Sequence, residues 1–218
     1  MSHVVEKLAV QFGVSTAFVA AILGKRNLIE LAAETPDIDA FMRLTGDQWK
    51  YISYALGTNQ RASLSLDRMF ALSTPHHSGR ALDIGCGYGG FMRVFLDKGF
   101  RSYGIEIDKD LAALAKLNLS DTDPDRSQVF VGDIFSEDLN LGYFDLITIN
   151  DVIEHLPNPI GAFNTLAGML TPGGMLGIYA PNGKSIFYAA SDPHNRVFGS
   201  SILSGPLGLI QPLIRLPH

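Results

Sequence analysis

The chain has 218 residues, 46% of them hydrophobic, with 17 Lys and Arg against 22 Asp and Glu for a formal net charge of −5. This length and composition can bury a core without staples, and the mild acidity excludes broad, sequence-independent nucleic-acid binding, which needs a basic surface. A single cysteine, Cys86, excludes an intrachain disulfide, and no run of 18 apolar residues reads as a membrane span.

The N-terminus MSHVVEKLAV lacks the basic-then-apolar pattern of a secretory leader, so the expected location is cytoplasmic. Apolar residues recur at helical spacing over 4–12, 15–23, 27–34, 38–44 and 47–56. Ser15 and Asp47 are the expected N-caps, and Pro36 separates two of the pieces. Within 8–27 the pattern faintly resembles a helix-turn-helix. Lys7, Lys25 and Arg26 are balanced by Glu6, Glu30 and Glu34, however, so the segment reads as two packed helices of a cap and no DNA contact is expected. A longer helix over about 59–72 follows Gly57.

Beyond Gly79 strands and helices alternate. RALDI (80–84), SYGIEI (102–107), QVFV (128–131), FDLITI (144–149) and MLGIYA (175–180) read as strands, and TPGG (171–174) as a turn. GFMRVFLDKG (90–99) is a helix stopped by Gly99. DLAALAKLNL is capped by Asp108, and NPIGAFNTLAGML (158–170) is opened by Asn158 with Pro159 in its first turn. This alternation implies an α/β fold, a doubly wound parallel sheet with helices on both faces. The expected organisation is a helical cap over 1–58, a ligand-binding domain over 59–182 and a C-terminal tail over 183–218.

Chemistry concentrates at the strand ends. In ALDIGCGYGG (81–90) a strand runs into glycines and then a helix, so Gly85, Gly87 and Gly89 permit a tight turn and close approach of a ligand to backbone N–H groups. Glu106, at the end of the second strand, suits a pair of ribose hydroxyls. Both features also fit a dinucleotide site, because Gly85, Gly87 and Gly90 have that spacing. NAD and FAD therefore stay open on these residues alone.

The blocks LDIGCGYGG, GIEID, VGDIF and FDLITINDVIEHLPNP, followed by LTPGGMLGIYAPN, make the chain resemble the class I S-adenosylmethionine (SAM)-dependent methyltransferases over about residues 55–182. Within that family it is similar to the ubiquinone-pathway type of small-molecule enzyme. Asp83 stands two residues before Gly85, where dinucleotide sites carry a hydrophobic residue, and an acid there opposes a pyrophosphate. The resemblance implies a Rossmann-like sheet with SAM as cofactor. It implies that Asp83, Gly85 and Gly87 border the methionine part, that Glu106 holds the ribose, and that Asp133 accepts from the adenine amino group. Ile107 and Ile134 would flank the ring, and Asn150 would line the sulfonium and the substrate mouth. Gln60 and Arg61 lie on the helix before the glycine loop, which covers the SAM carboxylate in related enzymes; Arg61 would either pair with that carboxylate or face solvent.

Methyl transfer is an in-line displacement, and a general base is needed only when the acceptor loses a proton. Asp151 and His155, in NDVIEHLP, are the catalytic candidates, with Glu154 beside them. Their D-x-x-E-H arrangement is similar to the E-x-x-E-H element of metal-assisted O-methyltransferases, with His194 a further conceivable ligand. Asp151 is shorter than the glutamate of that element, and no metal is assigned. The expected acceptor is a small molecule, with oxygen the favoured atom. A SAM-binding sensor or partner subunit without catalysis is the alternative, and an NAD-dependent oxidoreductase is a more distant one. The residues after Ala180 hold Pro206, Pro212 and Pro217 and show no pair of strands. The fifth strand is therefore expected to be an unpaired edge, with the chain a fragment of a longer protein or the edge covered by its own tail or the second subunit of a homodimer.

Overall fold

The computed structural model describes residues 2–73, 79–136, 141–180 and 214–215. The first helices are α1 (His3–Phe12), α2 (Thr16–Gly24), α3 (Ile29–Glu34), α4 (Ile38–Thr45) and α5 (Gln48–Leu56). Ser2, Ser15 and Asp37 cap α1, α2 and α4, each side chain accepting the N–H three residues on. Asp47 does not cap α5. Its own backbone is already helical (φ −61°, ψ −22°), so its side chain makes no cap bond. The apolar faces of these helices meet in one cluster around Leu8, Phe18, Leu23, Phe41, Ile52 and Leu56. Trp49 packs between Phe12 and Phe41, with ring centroids 6.3 and 6.5 Å away. Among the described residues no single helix is long and apolar enough to cross a membrane.

Helix α6 (Thr58–Leu72) buries Ala62, Leu66 and Met69 against the sheet. The chain then runs β1 (Arg80–Ile84), α7 (Gly90–Asp97), β2 (Arg101–Glu106), α8 (Lys109–Asn118), β3 (Ser127–Val131), β4 (Phe144–Asn150), α9 (Pro159–Gly168), β5 (Leu170–Tyr179) and β6 (Ile214–Arg215). The strand order is β3-β2-β1-β4-β5-β6, parallel from β3 through β5, so the fold is the expected α/β doubly wound sheet. The winding changes direction between β1 and β4, and a crevice opens there at the carboxyl ends of the strands. Asp83 pairs in register with Gly104 on one side and Thr148 on the other. Gly104 has to lack a side chain, because Cys86 Sγ and Met92 Sδ fill the space a Cβ would take. Asp108 and Asn158 cap α8 and α9 as expected.

Two expectations at the far side of the sheet are corrected. The TPGG segment is not a free turn but lies within β5, which starts at Leu170; a register shift between the Phe144–Leu170 and Leu146–Met175 pairs absorbs the extra residues. Nor is β5 an unpaired edge. Ile214 and Arg215 pair antiparallel with Leu176 and Met175. Two residues form this ladder, and Pro212 and Pro217 flank it in sequence rather than interrupting it. Over these pairs the edge is covered by the chain's own tail, one of the alternatives that the sequence leaves open.

A polar clasp joins the helical layer to the sheet. Asn59 Nδ2 donates to the Gly13 carbonyl at 2.6 Å, and Asn118 Nδ2 donates to Asn59 Oδ1 at 2.8 Å and to the Tyr88 carbonyl at 2.9 Å. Both asparagines are buried. The Ser15 hydroxyl donates to the Leu117 carbonyl alongside. Removing Asn118 leaves the buried Asn59 amide oxygen and the part-buried Tyr88 carbonyl without their donor. Asn118→Ala is therefore expected to lower unfolding free energy by about 2 kcal/mol or more, read from urea denaturation; a loss below about 0.5 kcal/mol would show that the clasp is energetically idle.

Candidate functional site

The crevice is a cleft of about 1030 Å³, at the upper end of the range for ligand sites of roughly 300–1,000 Å³. The loop after β1 forms its floor. Gly85 N and Cys86 N both donate to the Ile105 carbonyl, at 2.8 and 3.0 Å, which folds the loop back over β2. Gly85 sits at φ 68°, and a Cβ there would strike Val152. Its glycine identity is fixed both by the backbone and by the space available.

Glu106 is 6% exposed. Its Oε2 accepts the Gly87 N–H at 2.8 Å and its Oε1 accepts the Asp108 N–H at 3.0 Å. Each oxygen keeps a further lone pair, so the carboxylate can hold the loop and accept from a ligand at once. Asp83, 3% exposed, accepts the Thr148 hydroxyl at 2.7 Å. Burial pushes its pKa up to about 7; Thr148 and Asn150 work against that shift, and the nearby Glu106 charge adds to it. Asn150 lies near enough to favour the ionised form, yet its buried Nδ2 completes no hydrogen bond of ordinary geometry. Burial, followed by the charges of Asp83 and Glu106, pushes the Cys86 thiol pKa upward, which makes it a packing group rather than a nucleophile.

Asp133, at the end of β3, is exposed and accepts the Phe135 N–H at 3.0 Å. Ile134 beside it is buried, whereas Ile107 is 71% exposed; all three line the cleft. Beyond β4, Asp151 takes a left-handed backbone (φ 52°) and donates its N–H to the Tyr179 carbonyl at 2.9 Å. His155 lies in the single 3₁₀ turn Ile153–His155, with Nε2 4.0 Å from Glu154 Oε1. Asp151 and His155 both line the cleft; Glu154 is not among its lining residues. Among the described residues no group of three or more His, Cys, Asp or Glu side chains is placed to hold a metal ion, and His194 lies outside the described residues.

Helix α6 supplies the opposite wall through Thr58, Arg61, Ser65 and Arg68. Of these, the sequence reading singles out only Arg61. The signal available was spacing: the four residues repeat at helical intervals along one face. The Arg61 guanidinium stacks 4.1 Å from the centre of the Tyr54 ring, and partial burial lowers its pKa. Gln60 instead donates to the Gln11 carbonyl in the helical layer.

Residues 35–196 match a family described as a methyltransferase domain. A ubiquinone biosynthesis O-methyltransferase of Marinobacter nauticus is 30% identical over 114 residues, which are 50% of this chain and 48% of that protein. The Dechloromonas aromatica protein of the same name is 32% identical over an equal span and share. The chain thus spans about half the length of these relatives. Among solved structures, a glycopeptide N-methyltransferase with bound S-adenosyl-L-homocysteine is 26% identical, with TM-score 0.46, over 52% of this chain and 50% of that one. A SAM-bound amino pentose methyltransferase from Micromonospora echinaspora is 24% identical, with TM-score 0.49, over 62% and 57%.

Asp83 gives the site a pH signature. Its folded pKa of about 7 stands above the unfolded value of 3.8, so the folded state binds the extra proton between these values. Stability is fully present below about pH 4 and is lost as pH rises through about 7. The loss is on the order of 3–5 kcal/mol at most, at about 1.36 kcal/mol per unit. Denaturation of Asp83→Asn across this range should lack this component of the decline. An Asn variant with the wild-type slope would show that Asp83 ionises without penalty.

Proposed function

The chain belongs to the methyltransferase-domain family, and we propose that it binds SAM in this cleft and moves the methyl group to an oxygen of a small molecule. The observation that carries the reading is the pair of buried acids, Asp83 and Glu106, set around a glycine loop at the point where the sheet changes winding direction. A pyrophosphate would meet repulsion there, whereas a ligand with ribose hydroxyls and positive charge meets acceptors. The names of the 30–32% identical relatives support a small-molecule oxygen acceptor.

The residues fit the cofactor. Glu106 keeps lone pairs for two ribose hydroxyls, and Asp133 presents a carboxylate to an adenine amino group between Ile134 and Ile107. Gly85 and Gly87 leave the loop open to the methionine part, Arg61 offers its carboxylate a guanidinium, and the buried Asn150 Nδ2 has hydrogen-bonding capacity left over. When bound, SAM supplies an electrophilic methyl group on a cationic sulfonium. Transfer to a hydroxyl would break the sulfur–methyl bond as the carbon–oxygen bond of a methyl ether forms, release S-adenosylhomocysteine and require the hydroxyl proton to be taken up. The His155 imidazole and the Asp151 carboxylate, on the same rim, are the groups that take it. Alignment of donor and acceptor by the cleft supplies most of the acceleration.

Calorimetry and thermal unfolding with SAM, S-adenosylhomocysteine and NAD test the cofactor. SAM and its demethylated product should stabilise the protein by roughly 2.7 kcal/mol at about 100 times the dissociation constant. NAD should have no effect, and equal stabilisation by NAD would sink the reading.

The proton-accepting role has its own test, in which the purified protein is incubated with labelled SAM and a metabolite extract. His155→Ala should lower formation of labelled product by about 10²-fold or more and leave SAM affinity unchanged. Addition of a chelator should do nothing. Undiminished turnover in the variant would reduce the segment to structure.

A further inference from the structure

We infer that the acceptor carries a carboxylate or phosphate, and that Arg68 on α6 recognises it. This inference rests on the proposed cofactor reading, because it concerns the part of the cleft that the cofactor leaves open. The residues assigned to SAM run from Asp133 on β3 through Glu106 on β2 to the loop after β1. The sheet continues past β1 into β4 and β5. The cleft on that side holds Leu156, Pro157 and Tyr179, with Asp151 and His155 on its rim.

Arg68 is placed over that side. Its neighbour Met69 packs against Gly177 of β5, where a Cβ would collide with the methionine tip. This sets the last turns of α6 over β5, the side of the sheet away from β2 and β3, and from there Arg68 lines the cleft. Arg61 lies seven residues earlier, about 10 Å along the helix, and its guanidinium is turned onto Tyr54 near the helix start. One arginine therefore serves the cofactor end and the other the acceptor end.

Arg68 is exposed, and among the described residues it makes no ion pair. The adjacent acid, Asp67, is bonded instead to Lys98 at 2.7 Å. The remaining charged groups of the cleft are mostly acids, namely Asp83, Glu106, Asp133 and Asp151. A guanidinium at the acceptor side of such a cleft selects an oxyanion and can bind it in a two-pronged fashion. Leu64, Leu156, Pro157 and Tyr179, which line the same cleft, suit a compact apolar body attached to that anion.

The test uses three probes of one shape: benzoate, phenyl phosphate and the neutral benzamide. Each is titrated by calorimetry into protein saturated with S-adenosylhomocysteine. At least one anion should bind about tenfold or more tightly than benzamide, the scale of a charge-assisted hydrogen bond. Which anion wins separates a carboxylate acceptor from a phosphorylated one. Arg68→Gln should bring the preferred anion to within about twofold of benzamide, while S-adenosylhomocysteine affinity stays as in the wild type. Arg61→Gln should do the reverse, weakening S-adenosylhomocysteine and sparing the anion preference. Equal binding of anions and amide, binding of none of the three, or a preference that survives in Arg68→Gln would each overturn the inference. Failure of S-adenosylhomocysteine to bind the wild-type protein is a separate result. It would sink the underlying cofactor reading and the inference along with it.

Discussion

The architecture of the cleft hangs on the Glu106 carboxylate. It accepts one N–H from the turn after β1, at Gly87, and one from the turn after β2, at Asp108. Asp108 in turn caps α8 by accepting the N–H groups of Asp110 and Leu111. One buried side chain thus sets the position of the glycine loop against the start of α8. Charge-assisted bonds of this kind are roughly twice as strong as neutral ones and tolerate little displacement. The arrangement has a cost, since it puts a second buried acid, Asp83, close to the first. Glu106 has two backbone donors, while Asp83 has the Thr148 hydroxyl and the weaker influence of Asn150. Burial above all, with the Glu106 charge a smaller addition, holds the Asp83 proton to about pH 7. A ligand with positive charge near Asp83 would favour its ionised form, so the same placement favours a cationic ligand.

The N-terminal helices support the loop from behind. Phe18 on α2 meets the Tyr88 ring edge-on, with centroids 5.8 Å apart. The Tyr88 carbonyl accepts from Asn118, which is locked to Asn59, which in turn donates to Gly13 between α1 and α2. Leu114 of α8 is buried in the same apolar cluster as the first five helices. The glycine loop is therefore gripped on one side by Glu106 and on the other by the helical layer. A flexible glycine sequence becomes a fixed surface only because both grips are present.

Much of this was legible in the sequence, and the rest was hidden for identifiable reasons. The strands around RALDI and FDLITI announce themselves as short apolar runs between glycines and caps, and their placement followed. Ser15, Asp108 and Asn158 cap as expected because each sits directly before a helical repeat. Asp47 has the right type and position, but the chain turns helical one residue too early for its side chain to reach. The pair of Ile214 and Arg215 is too short to have any period, so local pattern could not reveal it. The Thr148–Asp83 bond joins residues 65 apart and exists only through strand register. Sequence also placed Glu106 at a ligand site without showing that it first holds the loop. The polar stripe on α6 needed the fold to say which face overlooks the cleft.

The two halves of the cleft rest on different foundations. The side proposed for the cofactor is built on β1 and β2, each flanked by strands on both sides and bonded through the loop to Glu106. The side proposed for the acceptor depends on the turn after β4. There Asp151 holds a left-handed backbone that side chains seldom adopt, and its N–H is anchored to the Tyr179 carbonyl at the end of β5. The position of Asp151 therefore follows that of β5, which among the described residues is paired on its outer side with Ile214 and Arg215. Local stability generally falls from the centre of a sheet toward its edge. On the proposed reading, the central strands would hold the cofactor, and the strands toward the edge would face the acceptor.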